Sequence, residues 1–167
     1  DHLGLDPSIR DALVGAARWH DCGKHRSVWQ RYACNSNGIA PLAKSTKYLD
    51  GRALGGYRHE FGSLLEAAES NELRDHAERD LILHLIAAHH GHARPHFELR
   101  AFDHERFSTA ANEIVAAEAL RRFSRLQHRF GRWGLAWLES LLRCADIAAS
   151  QGAAARASAS EAQEGMA

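Results

Sequence analysis

Residues 81–90 read Leu-Ile-Leu-His-Leu-Ile-Ala-Ala-His-His, and no other stretch limits the fold so strongly. Wound as a helix, the run is apolar on almost every side, so it belongs at the centre of a fold and not on its surface. It also ends on two adjacent histidines. The spacing predicts a helix over 73–90, capped by Gly91 and followed by Pro95. The rest of the chain supplies helices to surround it. Asp6-Pro7-Ser8 starts one, with proline in the first turn and a stripe of Ile9, Leu13 and Ala16/Ala17 leading to His20. Others are expected over 28–32, 60–70, 108–129 and 133–150. Residues 25–57 are rich in Gly, Asn and Pro and read mainly as loop. No internal repeat and no β alternation stands out. The expected fold class is therefore all-α, with one compact helical domain over 1–150. Residues 151–167 contain Ala, Ser, Gln and Glu but no aromatic residue, and read as a disordered tail.

Composition narrows the function only a little. The chain has 167 residues and equal numbers of basic and acidic groups, 21 each, so net charge gives no sign of nucleic-acid binding. Three cysteines without a C-x-x-C pair point to neither a disulfide framework nor a thiolate zinc site. No apolar run suits a membrane span, no signal-peptide pattern opens the chain, and a cytoplasmic location is expected. Neither the phosphate-binding P-loop pattern nor the dinucleotide-binding glycine pattern occurs. Histidine is the unusual residue, at 12.

The histidines and acids fall where their helices face inward. His20 continues Ile9, Leu13 and Ala17; Asp21 follows Val14 and Ala17. His89 continues Ile82 and Leu85/Ile86, His90 continues Leu83 and Ile86, and Asp146 continues Leu138 and Leu142. A lone inward histidine is usually satisfied by packing, and a lone inward aspartate by an arginine such as Arg143. Several such residues on separate helices are better explained by a shared metal ion. A buried carboxylate costs roughly several kcal/mol unless a cation or strong donors meet it. On this reading Asp21→Ala would stabilise the metal-free protein.

The motifs Trp19-His20-Asp21-Cys22-Gly23-Lys24, Arg58-His59-Glu60, His89-His90-Gly91 and Ala145-Asp146-Ile147-Ala148-Ala149-Ser150 occur in this order. They resemble the HD superfamily of metal-dependent phosphohydrolases, and within it the HD nuclease domain of CRISPR-associated type I interference. Trp29-Gln30 fits the same branch, and the resemblance covers residues 3–150. It implies a DNA nuclease that hydrolyses phosphodiester bonds of single-stranded DNA. The partners it implies are a helicase domain or subunit and a CRISPR RNA-guided surveillance complex. It further implies two divalent ions. His20, Asp21 and Asp146 would hold the first, and Asp21 as a bridge with His59, His89 and His90 would hold the second. Asp21 and Lys24 would be the catalytic pair, Lys24 near the phosphate. Mixed His/carboxylate ligation suits Mn, Fe, Co or Ni better than Mg. The family's first site takes one further, earlier histidine. Only His2 precedes the HD helix here, with no room for a ligand helix between, so the chain is expected to begin inside its domain. The second site would then fill first.

Signals for DNA contact are weaker. Lys24, Arg26, Trp29, Arg31 and Tyr32 interleave charge and rings near the motif, as a single strand requires; packing is the plainer reading of the two rings. Arg121, Arg125 and Arg129 share a helical face that would serve equally as a DNA track, a solvated face or a protein contact. His92 and His96 are candidates to line the cleft. The alternatives are an HD phosphohydrolase acting on nucleotides, a di-iron oxygenase and a non-catalytic docking domain. The absence of a Gly-Tyr-Pro motif argues against the cyclic-dinucleotide branch.

Overall fold

The computed structural model describes residues 3–35, 40–42, 49–93 and 96–164, with side chains described as far as Ala153. His2, Arg94 and Pro95 lie outside these residues, as does the segment 36–39. The described elements are helices, with no strand among them. They are α1 (Pro7–Trp19), α2 (Ser27–Tyr32), α3 (His59–Glu69), α4 (Asn71–Arg74), α5 (Arg79–Ala88) and α6 (Thr109–Glu164), with short 3-10 turns at Cys22–His25, Gly51–Leu54 and Leu99–Ala101.

Helix α5 is the central element the sequence calls for. Every residue from Leu81 to Ala88 is buried, and α1, α3 and α6 pack around it. Phe61, Leu64 and Leu65 of α3 and Leu135, Leu138 and Leu142 of α6 fill the core with it. On α1 Ile9 and Ala16 of the expected stripe are buried and Leu13 packs half-buried against the core; Ala12 is buried as well, and Ala17 is exposed. The start of α1 is as expected, with the Asp6 carboxylate accepting from the Ser8 backbone N–H at 2.8 Å.

Two boundaries differ from expectation. The helix expected over 73–90 is broken after Arg74, and α5 begins at Arg79. In the intervening turn the Glu78 N–H donates to His76 Nδ1 and the Arg79 N–H to the His76 carbonyl, local bonds that compete with the helical ladder. The two helices expected over 108–129 and 133–150 are both present within α6, separated by a kink at Gly131, whose φ of 70° only glycine adopts readily. The second of these helices runs to Glu164, past the expected end at 150. Alanine-rich sequence has high helical propensity, and no proline or further break interrupts it.

Candidate metal centre

Local packing first fixes the turn that carries the HD pair. α1 ends at Trp19 with His20 as its C-cap, and the chain turns immediately into Cys22–His25. Gly23 is pressed against α3: a Cβ there would lie 2.1 Å from the His59 carbonyl oxygen. The Ser63 hydroxyl donates to the His20 carbonyl at 2.7 Å and accepts from the Gly23 N–H at 2.8 Å, spanning Asp21. The buried Tyr57 hydroxyl donates to the Gly23 carbonyl at 2.8 Å. Burial pushes the Tyr57 pKa well above its ordinary value, so the phenol stays protonated for this bond. Ser63 and Tyr57 escape a reading based on ligand chemistry. The one sequence signal for the close approach is Gly23 itself.

Four parts of the fold then converge. His20 and Asp21 follow α1, His59 opens α3, His89 and His90 follow α5, and Asp146 lies on α6. His20 Nε2 lies 3.6 Å from Asp21 Oδ2 and 3.6 Å from Asp146 Oδ1. His59 Nε2 lies 3.5 Å from Asp21 Oδ1 and 3.3 Å from His89 Nε2. Metal–ligand bonds of roughly 2.0–2.2 Å put neighbouring ligand atoms about 3–3.5 Å apart, so these spacings are close to those of a coordination shell. Ligand atoms of His59, His89 and His90 lie within 4.8 Å of one another, as do those of His20, Asp21 and His89. His90 is on the exposed rim, two residues past the end of α5, rather than facing the core as the stripe suggested. It still reaches the cluster.

Hydrogen bonding fixes the orientation of two of the imidazoles. His20 Nδ1 donates to the Ala17 carbonyl at 2.8 Å and His89 Nδ1 to the Ile86 carbonyl at 2.7 Å. Each bond leaves the Nε2 lone pair free to face the cluster. His20 Nε2 is buried without a hydrogen-bond partner. Burial holds His59 far below the ordinary histidine range, helped by Lys24 and the neighbouring imidazoles. Burial likewise pushes His89 down to about 3, against the opposing bond to Ile86. His90 is lowered mainly by burial, with Glu60 opposing. Neutral imidazoles are the form that binds metal. Behind them, Glu60 is buried, its carboxyl raised by burial, with Oε2 3.3 Å from His59 Nδ1. This His/Asp cluster could hold a metal ion.

Lys24 is not the surface lysine that packing alone would allow. It is 9% exposed, and its ammonium lies 2.7 Å from Asp21 Oδ1 and 2.8 Å from Oδ2. It also sits 5.3 Å from the centre of the Trp29 ring. Trp29 packs edge-on against the His59 imidazole, with centroids 4.7 Å apart, and against Tyr32 at 5.0 Å. Over this floor opens a cleft of about 920 Å³. Asp21, Lys24, His59, His90 and Asp146 form its polar part, and Trp29, Tyr32, Leu49 and Ile147 its apolar walls.

The other expected DNA contacts fare differently. Arg26 is 5% exposed, its guanidinium bonded to Asp103 at 2.5 Å and Glu66 at 2.7 Å; it ties the HD turn to the segment before α6. Its Nη2 has no partner but is buried, so the guanidinium is turned away from solvent. Arg31 is exposed and donates to the Ser27 hydroxyl at 3.0 Å, away from the cleft. Arg125 bonds Asp80 at 2.8 Å and Glu118 at 2.7 Å, while Arg121 lies 3.6 Å from Glu118. His92 and His96 line a separate cavity of about 200 Å³ with Arg58 and Arg100. Cys22 is half-buried, its thiol pKa raised by burial, and Cys144 is exposed. No helix among the described residues is long and apolar enough to cross a membrane. Comparison with family models, curated proteins and solved structures returns no match.

Proposed function

We propose that this chain is a metal-dependent nuclease of the HD-superfamily type, hydrolysing phosphodiester bonds of single-stranded DNA. The observation that carries the reading is the meeting of His20, Asp21, His59, His89 and Asp146 beneath one open cleft. These are the motif residues on which the resemblance rests, and they come from distant parts of the sequence. His20, Asp21, His59, His89, His90 and Asp146 would hold divalent ions. Such ions would supply a hydroxide at neutral pH and charge stabilisation at a phosphoryl group. The chain's own contribution is to fix the ligands and shape the approach. Asp21 offers one oxygen toward His20 and one toward His59. Lys24 places a buried cation beside Asp21, where a phosphate oxygen can be met. Trp29 and Tyr32 present rings to an unpaired base along the cleft wall. By the resemblance of its motifs, the chain would act beside a helicase that exposes single strands, in CRISPR type I interference.

Chelator-stripped protein reloaded with Mn²⁺ should cut circular single-stranded DNA and leave free deoxynucleoside triphosphates intact. Hydrolysis of the triphosphates without cleavage of the circle would replace the nuclease reading with a nucleotide phosphohydrolase.

A further inference from the structure

The two ligand groups of the cluster, His59/His89/His90 and His20/Asp21/His89, have His89 in common, while Asp21 of the second also lies 3.5 Å from His59 of the first, and these two residues differ in what they can share. Asp21 points Oδ2 at His20 and Oδ1 at His59. A carboxylate with two oxygens can serve two cations at once. His89 cannot do so in this setting. Its Nδ1–H is committed to the Ile86 carbonyl at 2.7 Å, so one lone pair, at Nε2, faces the cluster. That Nε2 lies 3.3 Å from His59 Nε2, and it also stands within 4.8 Å of the ligand atoms of His20 and Asp21. The His89 ring meets the His20, His59 and His90 rings at centroid distances of 5.0, 5.3 and 4.1 Å. It therefore stands between the two groups, inside neither one alone.

We infer that His89 is a ligand for which the two halves of the metal centre compete, so that the first divalent ion bound weakens the site for a second. An ion among His59, His90 and Asp21 takes His89 and leaves His20, Asp21 and Asp146 for the other position. An ion among His20, Asp21 and Asp146 that takes His89 instead leaves His59, His90 and Asp21. Either half is complete with His89 and short of one ligand without it. His89 is thus the one histidine whose loss no alternative position repairs. The inference rests on the reading that the cluster holds metal. It is independent of whether the substrate is DNA.

The test is a titration of the chelator-stripped full chain with Mn²⁺, following free ion by electron paramagnetic resonance. Wild-type protein should bind one equivalent tightly and a second at least about tenfold more weakly. Loss of an outer partner of a ligand already costs roughly 10–100-fold in affinity, and loss of a direct ligand should cost no less. His20→Ala and His90→Ala should each retain one tight equivalent, because the opposite half still has His89. His89→Ala should lose it, with helicity checked by circular dichroism. Two equivalents of equal affinity in wild-type protein would overturn the competition and leave the metal-dependent reading standing. A tight equivalent surviving in His89→Ala would do the same. No binding by wild-type protein would sink both.

Discussion

Two sets of polar side chains at helical spacing stand out in this sequence, and the fold treats them in opposite ways. On α6, Arg121, Arg125 and Arg129 meet carboxylates: Glu118 for Arg121, Asp80 and Glu118 for Arg125, and both oxygens of Glu78 for Arg129 at 2.5 and 2.7 Å. Around α5 the imidazoles meet one another and two aspartates, with His20 Nε2 buried and unpartnered. The first set is neutralised within the protein and fastens α6 to the start of α5. The second is a concentration of electron-pair donors that could hold a metal ion. A stripe of charges acquires its meaning from what the facing element offers, and sequence periodicity does not carry that.

The sharpest way to test the contrast is to remove Asp21, whose two oxygens face His20 and His59. Asp21→Ala should lower Mn²⁺-dependent cleavage of single-stranded DNA by at least about a thousandfold, as expected for losing a bridging metal ligand. A wild-type rate would end the two-metal reading. The same variant should also be less stable without metal by about 1–2 kcal/mol in a urea titration, since it leaves the Lys24 ammonium without its carboxylate at a partly solvated site. That sign is opposite to the expectation for a lone buried carboxylate, because Lys24 already partners Asp21.

Next in size is Gly23→Ala. The new methyl would meet the His59 carbonyl at 2.1 Å and the Ser63 nitrogen at 2.8 Å, so the HD turn must leave α3. A loss of about 2–4 kcal/mol is expected, in the range of overpacked or displaced core contacts, with metal affinity falling alongside. Unchanged thermal unfolding and unchanged Mn²⁺ binding would show that the turn is not held by this contact.

Acid should also separate the two regions. His59 and His89 have folded pKa values below the ordinary histidine value of about 6.5. Their unfolded forms therefore bind more protons as the pH falls. The stability they contribute is complete above about pH 6.5 and is lost progressively below it, toward about 3 for His89. Metal-free protein should thus show a lower urea midpoint near pH 5 than near pH 7.5, and replacing His59 by Phe should shrink that difference. An equal difference in the variant would place the titration elsewhere. The arginine face should contribute nothing in this window, since Arg125 and Arg129 are held above their already high values by their carboxylate partners.

The smallest effects belong to that face. Arg125→Ala with Arg129→Ala should cost about 1 kcal/mol or less of stability, as exposed ion pairs do, and leave the salt dependence of DNA binding unchanged. Arg121→Ala alone should be close to neutral. A flatter salt slope in the double variant would return these arginines to a DNA track.

Much of the centre was legible beforehand because it depends on short-range rules. The apolar run 81–88 forces a central helix, and the doublets His20-Asp21 and His89-His90 come at the ends of core-facing helices. The helix stop at Gly91 and the break near 131 likewise follow from residue type, with φ of 81° and 70° at the two glycines. Other features depend on residues far apart in the chain. Arg26 looks like a phosphate contact until Asp103 and Glu66 arrive from other segments and bury it. Ser63 and Tyr57 acquire their roles only because α3 lies against Gly23. The sequence by itself determined the central helix and most of the inward-facing residues, through the period of the helix and the cost of burying polar groups, with His90 and Ala17 as exceptions. Only the tertiary structure decided which inward and outward groups meet, because partner choice depends on distances of a few ångströms between elements that sequence spacing does not specify. The standing of His89 between two ligand groups belongs to that second class.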